Sequence, residues 1–168
     1  MPKLKSLPVI VSIIGVALCA CSGGTSSPTT KASPTVDSVT QKYLTLVNGF
    51  WQDHVIATSG ALQVCVGTGT GTESVNAPLC RQRGAAMLAV QEKFFGDLVD
   101  TPAPAKFANE DRTFHERLPQ TIADLKAMIS ASEMGNKEAI QMAANAYIAD
   151  MQPILEALDV ISPAVQHV

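Results

Sequence analysis

The sequence predicts an all-α protein, an up-down-up-down four-helix bundle with one disulfide-stapled loop. Apolar side chains recur at the three- and four-residue spacing of an amphipathic helix in four separate segments, and the alternation typical of strands is nearly absent. The segments are joined by short connections or by a loop that a pair of cysteines encloses. That connectivity is typical of an antiparallel helical bundle.

The first segment predicts a helix that begins near Asp37 and ends near Cys65. Ser38 and Gln41 have the spacing of a capping box at its start. Trp51 lies on the flank of the apolar stripe, where it either packs at a seam between helices or is exposed as an anchor for a partner. The stripe consists of Val39, Tyr43, Leu46, Val47, Phe50, Ala57, Ala61 and Val64.

Residues 67–72 alternate glycine and threonine. They lack the Lys-Ser/Thr pair of a phosphate-binding loop, and no apolar strand precedes them. Cys65 and Cys80 flank this loop, and an even pair of cysteines predicts a disulfide in an oxidising compartment. A metal-binding pair is the alternative, but no further cysteine or histidine lies nearby. A disulfide that closes a loop of this size contributes about 3 kcal/mol to stability.

Three further helices follow in the sequence. The second is predicted to start after Asn76, with Pro78 in its first turn, and to end at the prolines of residues 101–104. A Gly-Asn pair separates the third helix from the fourth. Pro119 in the third helix and Pro153 in the fourth should each lie at a kink or a break, because an interior proline removes an intrahelical hydrogen bond.

The N-terminal residues have the order of a secretory signal. A basic start at Lys3 and Lys5 precedes an apolar run over residues 7–20, which ends in a small residue. The run has about 14 residues, whereas a spanning helix, the alternative, needs roughly 20. Residues 21–35 are rich in serine, threonine, proline and glycine and predict a disordered tether. The helical domain is then expected over residues 36–168.

The residues before Cys21 resemble the lipobox of bacterial lipoproteins, with apolar Leu18 and small Ala20 ahead of the cysteine. Cys19 departs from that pattern, in which its position is usually a small residue without a thiol. The resemblance implies that residues 1–20 are removed and that Cys21 carries a diacylglycerol. It also implies an anchor at the outer face of the cell membrane, or elsewhere in the cell envelope. Two or more acyl chains are enough to hold a protein at a bilayer.

Charge and motifs exclude several classes of function. The chain has 12 basic and 15 acidic residues. Removal of residues 1–20 would take away Lys3 and Lys5 and leave a net charge of about −5. Because no basic stripe is present, nucleic acid is not expected as a partner. The motifs of di-iron, zinc-protease, serine-hydrolase and haem-attachment sites are all missing. We therefore expect no cofactor, no metal site and no catalytic residues.

Three polar residues interrupt the apolar stripes. His54 lies eleven residues before the first of the paired cysteines and Gln91 eleven after the second, so antiparallel helices would place them at one level. If the third helix runs back antiparallel after the proline-rich turn, counting residues from that turn places Asp111 close to the same level. A buried polar layer of these side chains follows, either as a structural network or as a ligand pocket or pH-sensitive switch. Alternatively, Asp111 pairs with His115 on the same helix.

These observations favour a lipid-anchored, non-enzymatic binding module at the cell envelope, which takes a protein partner or a small apolar ligand. The alternative is a small envelope hydrolase or transferase that uses His54 and Asp111. A passive envelope protein without a specific ligand is a third possibility. In composition, the tethered chain resembles actinobacterial lipoproteins and also small phage-encoded lipoproteins that exclude later infection.

Overall fold

The computed structural model describes residues 37–67 and 74–165. Within these ranges the chain forms five α-helices and one short 3₁₀ helix, and it contains no strand. The all-α class is therefore confirmed. The elements are α1 (Ser38–Thr58), α2 (Ala61–Val66), α3 (Ala77–Val99), the 3₁₀ helix (Ala105–Phe107), α4 (Ala108–Glu133) and α5 (Lys137–Val165).

Several predictions concern residues outside the described ranges. These are the signal segment of residues 1–20, lipidation of Cys21, the tether of residues 21–35 and most of the glycine–threonine loop.

The first helix ends earlier than the apolar pattern predicted. α1 ends at Thr58, and α2 begins only at Ala61. Between them, Gly60 has a φ of 68°, in the left-handed region that glycine adopts without the steric cost of a side chain. The prediction of one helix reaching Cys65 was therefore wrong, and the described part of the chain has five α-helices rather than four.

The start of α1 also differs from the prediction in its capping residue. The Asp37 carboxylate accepts hydrogen bonds from the Thr40 backbone N–H at 2.9 Å and from the Thr40 hydroxyl at 2.8 Å. This arrangement satisfies one of the free N–H groups of the first turn. The cap is thus Asp37 and not the predicted capping box of Ser38 and Gln41.

The start of α3 agrees with the sequence prediction. The Asn76 side chain accepts a hydrogen bond from the Leu79 backbone N–H at 3.1 Å, and Pro78 lies in the first turn. A proline is favourable there because its missing N–H would have no partner within the helix.

The interior prolines do not break their helices. α4 continues through Pro119, and α5 continues through Pro153 and Pro163. A helix break at these positions is therefore excluded, whereas a kink at Pro119 or Pro153 stays a prediction.

The core joins the long helices through stacked aromatic rings. The rings of Phe50 on α1 and Phe94 on α3 stack at a centroid distance of 4.0 Å, and Phe94 meets Phe114 of α4 edge-on at 5.5 Å. α5 has its most extensive contact with α4 and also contacts α1 and α2. Large, fully buried side chains include Tyr43, Leu44, Met87, Leu118, Leu125, Met128, Ile140, Tyr147, Ile154 and Ile161.

The predicted disulfide is present. It joins Cys65 of α2 to Cys80 of α3 with a Cα–Cα distance of 5.1 Å, and both residues are fully buried. On its other side, α2 is held to α5 because the Gln141 amide donates a hydrogen bond to the Val66 carbonyl at 2.7 Å. The short helix is therefore fixed between α3 and α5.

None of the helices in the described ranges combines the length and the apolar character needed to span a bilayer.

Candidate functional site

A groove between α1 and α5 is a feature of the described surface that could hold a ligand. It contains a cavity of about 300 Å³, which is at the small end of the range for ligand sites. α2 closes one wall through Leu62. The α1 wall includes Trp51, His54 and Val55, and the α5 wall includes Tyr147, Ile148 and Met151. We call this feature the α1–α5 groove.

Apolar side chains are exposed along the rim of the α1–α5 groove. The exposed fraction is 43% for Trp51, 45% for Val55 and 43% for Ile148. A second cavity of about 90 Å³ adjoins Trp51 and includes Leu158 in its wall. Trp51 therefore lies at the seam between two helices, which was one of its two predicted positions. It is also half-exposed, which the other prediction, an anchor for a partner, requires.

His54 lies in the wall of the groove with its side chain almost entirely buried. Its exposed fraction is 8%, and its ring packs against Phe50 at a centroid distance of 5.6 Å and Trp51 at 6.4 Å. Within the described ranges, no hydrogen bond involves either ring nitrogen. Burial lowers the pKa of His54 to about 4, so the ring is neutral at pH 7.

Gln91 is fully buried and connects three helices. Its amide nitrogen donates to the Tyr147 hydroxyl at 2.8 Å and contacts the Met151 sulfur at 3.3 Å. Its amide oxygen accepts from the Thr121 hydroxyl at 2.6 Å. Because Tyr147 and Met151 also line the α1–α5 groove, this network braces the α5 wall.

Asp111 lies elsewhere, in a cluster at the start of α4. Its carboxylate is 3.6 Å from the His115 ring nitrogen, as the alternative prediction required. Burial and the neighbouring Asp111 carboxylate raise the pKa of Tyr43, which is fully buried on α1. Asp111 thus pairs with His115 and faces Tyr43.

His54 lines the same cavity as Tyr147 and Met151, which Gln91 contacts, whereas Asp111 lies in a different cluster. In the described part of the chain, no direct hydrogen bond joins His54, Gln91 and Asp111, the residues of the predicted layer, to one another. Asp111 is displaced because the connection between α3 and α4 extends through the 3₁₀ helix, so that α4 begins only at Ala108. The residue that bonds to Gln91 is consequently Thr121, ten positions after Asp111.

Asp124 of α4 faces Asp150 of α5, and burial together with the Asp150 carboxylate raises the pKa of Asp124. Across residues 37–67 and 74–165, no group of three or more histidine, cysteine, aspartate or glutamate side chains could hold a metal ion.

Comparison of the chain with protein-family models, with curated proteins and with solved structures gave no match.

Proposed function

We propose that this chain is an exported protein of the cell envelope, anchored through a lipid at Cys21, whose helical domain binds a small apolar ligand without catalysing a reaction. The α1–α5 groove is the observation that carries the proposal. Concave, mainly apolar sites with few polar groups are typical of small-molecule binding.

The composition of the groove supports an apolar ligand. The described side chains that line its larger cavity include no acid, lysine or arginine, and apolar residues form its rim. A charged ligand would lose its hydration there without gaining an ion pair, which is costly. An apolar ligand would instead bury its surface and the exposed rim together, at about 25 cal/mol per Å².

The hydrolase alternative lacks a catalytic pair. A general base must lie within hydrogen-bonding distance of its proton donor or of an intervening water, but His54 and Asp111 belong to separate clusters. His54 has no carboxylate bonded to it within the described ranges. For this reason we propose binding, and not catalysis, as the role of the groove.

We also propose that α1, α3, α4 and α5 form an up-down-up-down bundle. In this bundle, α2 is a short continuation of α1 after the turn at Gly60. Each long helix packs against the next one along the chain, and α5 also contacts α1. Short connections between long helices favour antiparallel neighbours. A crystal structure that places α1 beside α4 instead of α5 would contradict this topology.

The lipid anchor is tested by detergent phase partitioning of the exported chain. The wild type should enter the detergent phase and carry the mass of a diacylglycerol on Cys21. Cys21→Ser should remain in the aqueous phase, because the anchor rests on the lipid and not on surface charge. Equal partitioning of the two chains would contradict the anchor.

Ligand binding is tested with 4-(dimethylamino)benzonitrile, a neutral one-ring dye whose emission changes in apolar sites. The dye is titrated into the full-length chain carrying Cys21→Ser, so that no attached lipid competes for the site. We expect saturable binding that Val55→Gln weakens severalfold. Val39→Gln is the matched control, since Val39 lies on the same helix with an exposed fraction of 48%, against 45% for Val55.

The two valine variants separate the outcomes. Loss of binding in Val55→Gln alone supports the α1–α5 groove as the site. Absence of saturable binding to the parent chain, or an equal loss in both variants, contradicts the proposed function.

A further inference from the structure

His54 is a largely buried polar side chain in the wall of the α1–α5 groove. It is more than nine-tenths buried, it lines the larger cavity of the α1–α5 groove, and no described residue bonds to its ring. The ring nitrogens are not fully enclosed by the protein, so a ligand in the cavity can reach them. A ligand with a complementary polar group would form there the hydrogen bond that water otherwise supplies.

Three other polar side chains along the cavity already have partners. The Thr58 hydroxyl donates to the His54 carbonyl at 2.8 Å. The Gln152 amide donates to Glu156 at 3.0 Å, and the Tyr147 hydroxyl accepts from Gln91. A ligand thus meets two side chains without a described hydrogen bond, the Trp51 indole and the His54 ring. The indole is a donor only, whereas the neutral imidazole has one donor and one acceptor nitrogen.

We propose that the α1–α5 groove binds a small uncharged alcohol or phenol whose hydroxyl bonds to the ring of His54 while its apolar body lies between Trp51 and Ile148. A hydroxyl both donates and accepts, so it can satisfy either tautomer of the ring. The cavity of about 300 Å³ corresponds to roughly ten waters in the liquid, which suits a ligand of one ring with a short chain. This inference rests on the proposed function and names its ligand class.

A carboxylate or an ammonium ion fits this cavity less well. Neither an opposite charge nor a cluster of polar groups is available on the described lining to replace the water around an ion. Binding should therefore rank a phenol above a hydrocarbon of the same shape, and both above the corresponding carboxylate.

Three matched probes test this ranking: para-butylphenol, butylbenzene and para-butylbenzoate. Each is titrated calorimetrically into the full-length chain carrying Cys21→Ser. We expect para-butylphenol to bind about fivefold or more tightly than butylbenzene, as one additional hydrogen bond provides. Para-butylbenzoate should bind most weakly.

His54→Phe should remove the preference for the hydroxyl. The variant keeps a planar ring in the same place but has no ring nitrogen, so butylbenzene should still bind while para-butylphenol loses its advantage. His115→Phe is the control, because His115 lies in the Asp111 cluster and is 39% exposed. It should leave the affinities of all three probes unchanged.

Nuclear magnetic resonance keeps the inference testable if His54→Phe does not fold. In the parent chain, para-butylphenol should shift the ring-nitrogen resonances of His54 and leave those of His115 in place. Butylbenzene should produce a smaller shift at His54, since it offers no hydrogen bond.

The outcomes distinguish this inference from the function on which it rests. If none of the probes binds, the proposed function fails and the inference fails with it. If butylbenzene binds as tightly as para-butylphenol, or if the hydroxyl preference survives in His54→Phe, the groove is a binding site but His54 is not its polar anchor.

Discussion

The two sides of α5 differ in how completely their packing is closed. Towards α4, the helices bury Phe114, Leu118 and Leu125 fully, and a pocket of about 250 Å³ remains near the start of α4, between Thr113 and Val160. Towards α1, a groove remains between the helices, and apolar side chains are exposed along it. The comparison separates a part of the molecule that provides stability from a part that is available for binding.

The filled side depends on a close approach of α3 and α4. A Cβ atom added to Gly84 would lie 2.9 Å from the Met128 Cε and 3.2 Å from the Ile129 Cγ1. On the open side, His54 and Trp51 line the groove between α1 and α5. Substitutions in the two regions should therefore affect different properties.

The largest loss of stability is expected from removal of the disulfide, which links α2 in the groove wall to α3. Replacing Cys65 and Cys80 together by alanine should lower the free energy of unfolding by about 3 kcal/mol, because the cross-link closes a loop with a sequence separation of 15. Urea denaturation followed by circular dichroism measures this change. A loss below about 1 kcal/mol would show that α2 and its loop are held by packing alone.

Next in size is the polar network behind the groove wall. Gln91→Leu should cost about 2–3 kcal/mol, since it leaves the Tyr147 and Thr121 hydroxyls buried with fewer partners. Gln82→Leu is the control, because Gln82 lies on the same helix and is exposed. Equal unfolding midpoints for the two variants would contradict a role for the network in stability.

The close approach of α3 and α4 can be tested with two glycines of one helix. Gly84→Leu should lower stability by about 2 kcal/mol, since the added atoms displace Met128 and Ile129. Gly96→Ala should instead raise stability by about 0.5–1 kcal/mol, because its Cβ would have no described atom within 4 Å and alanine favours the helix. Thermal unfolding of both variants measures the difference, and a destabilised Gly96→Ala would contradict it.

His54 should make the stability of the folded chain depend on pH in the acid range. Its pKa is about 4 in the folded chain and about 6.5 in the unfolded chain. As the pH falls below 6.5, the unfolded state therefore binds a proton that the folded state does not. The loss should reach about 2 kcal/mol at pH 5 and level off below the folded pKa. His54→Phe should be less sensitive over this pH range, and an unchanged pH profile would show that the ring is solvated.

The sequence predicted the helical class, the disulfide and the start of α3 because each depends on local patterns. It also placed His54 and Gln91 in buried positions, since both interrupt an apolar stripe. It missed the end of α1 because the apolar spacing continues past Gly60, where a backbone turn interrupts the helix. A glycine between two turns of a helical pattern was the available signal.

The partners of Gln91 could not be read from the sequence. They depend on the register between α3 and α4, and the connection through the 3₁₀ helix shifts that register by about three turns. Tyr147 and Thr121 lie at ordinary positions of their helices, so no pattern distinguishes them. The groove likewise results from the spacing of α1 and α5, which the hydrophobic periodicity of either helix does not contain.

The emission of Trp51 tests the central claim most directly, because it is the only tryptophan of the chain and lies on the rim of the groove. Para-butylphenol should shift the emission of Trp51 to shorter wavelength and reduce its quenching by acrylamide. The phenol concentration at half of the change should agree with the dissociation constant from calorimetry. Val55→Gln should weaken both responses, whereas Val39→Gln should not. Saturable binding by calorimetry with unchanged Trp51 emission would place the ligand elsewhere and contradict the account.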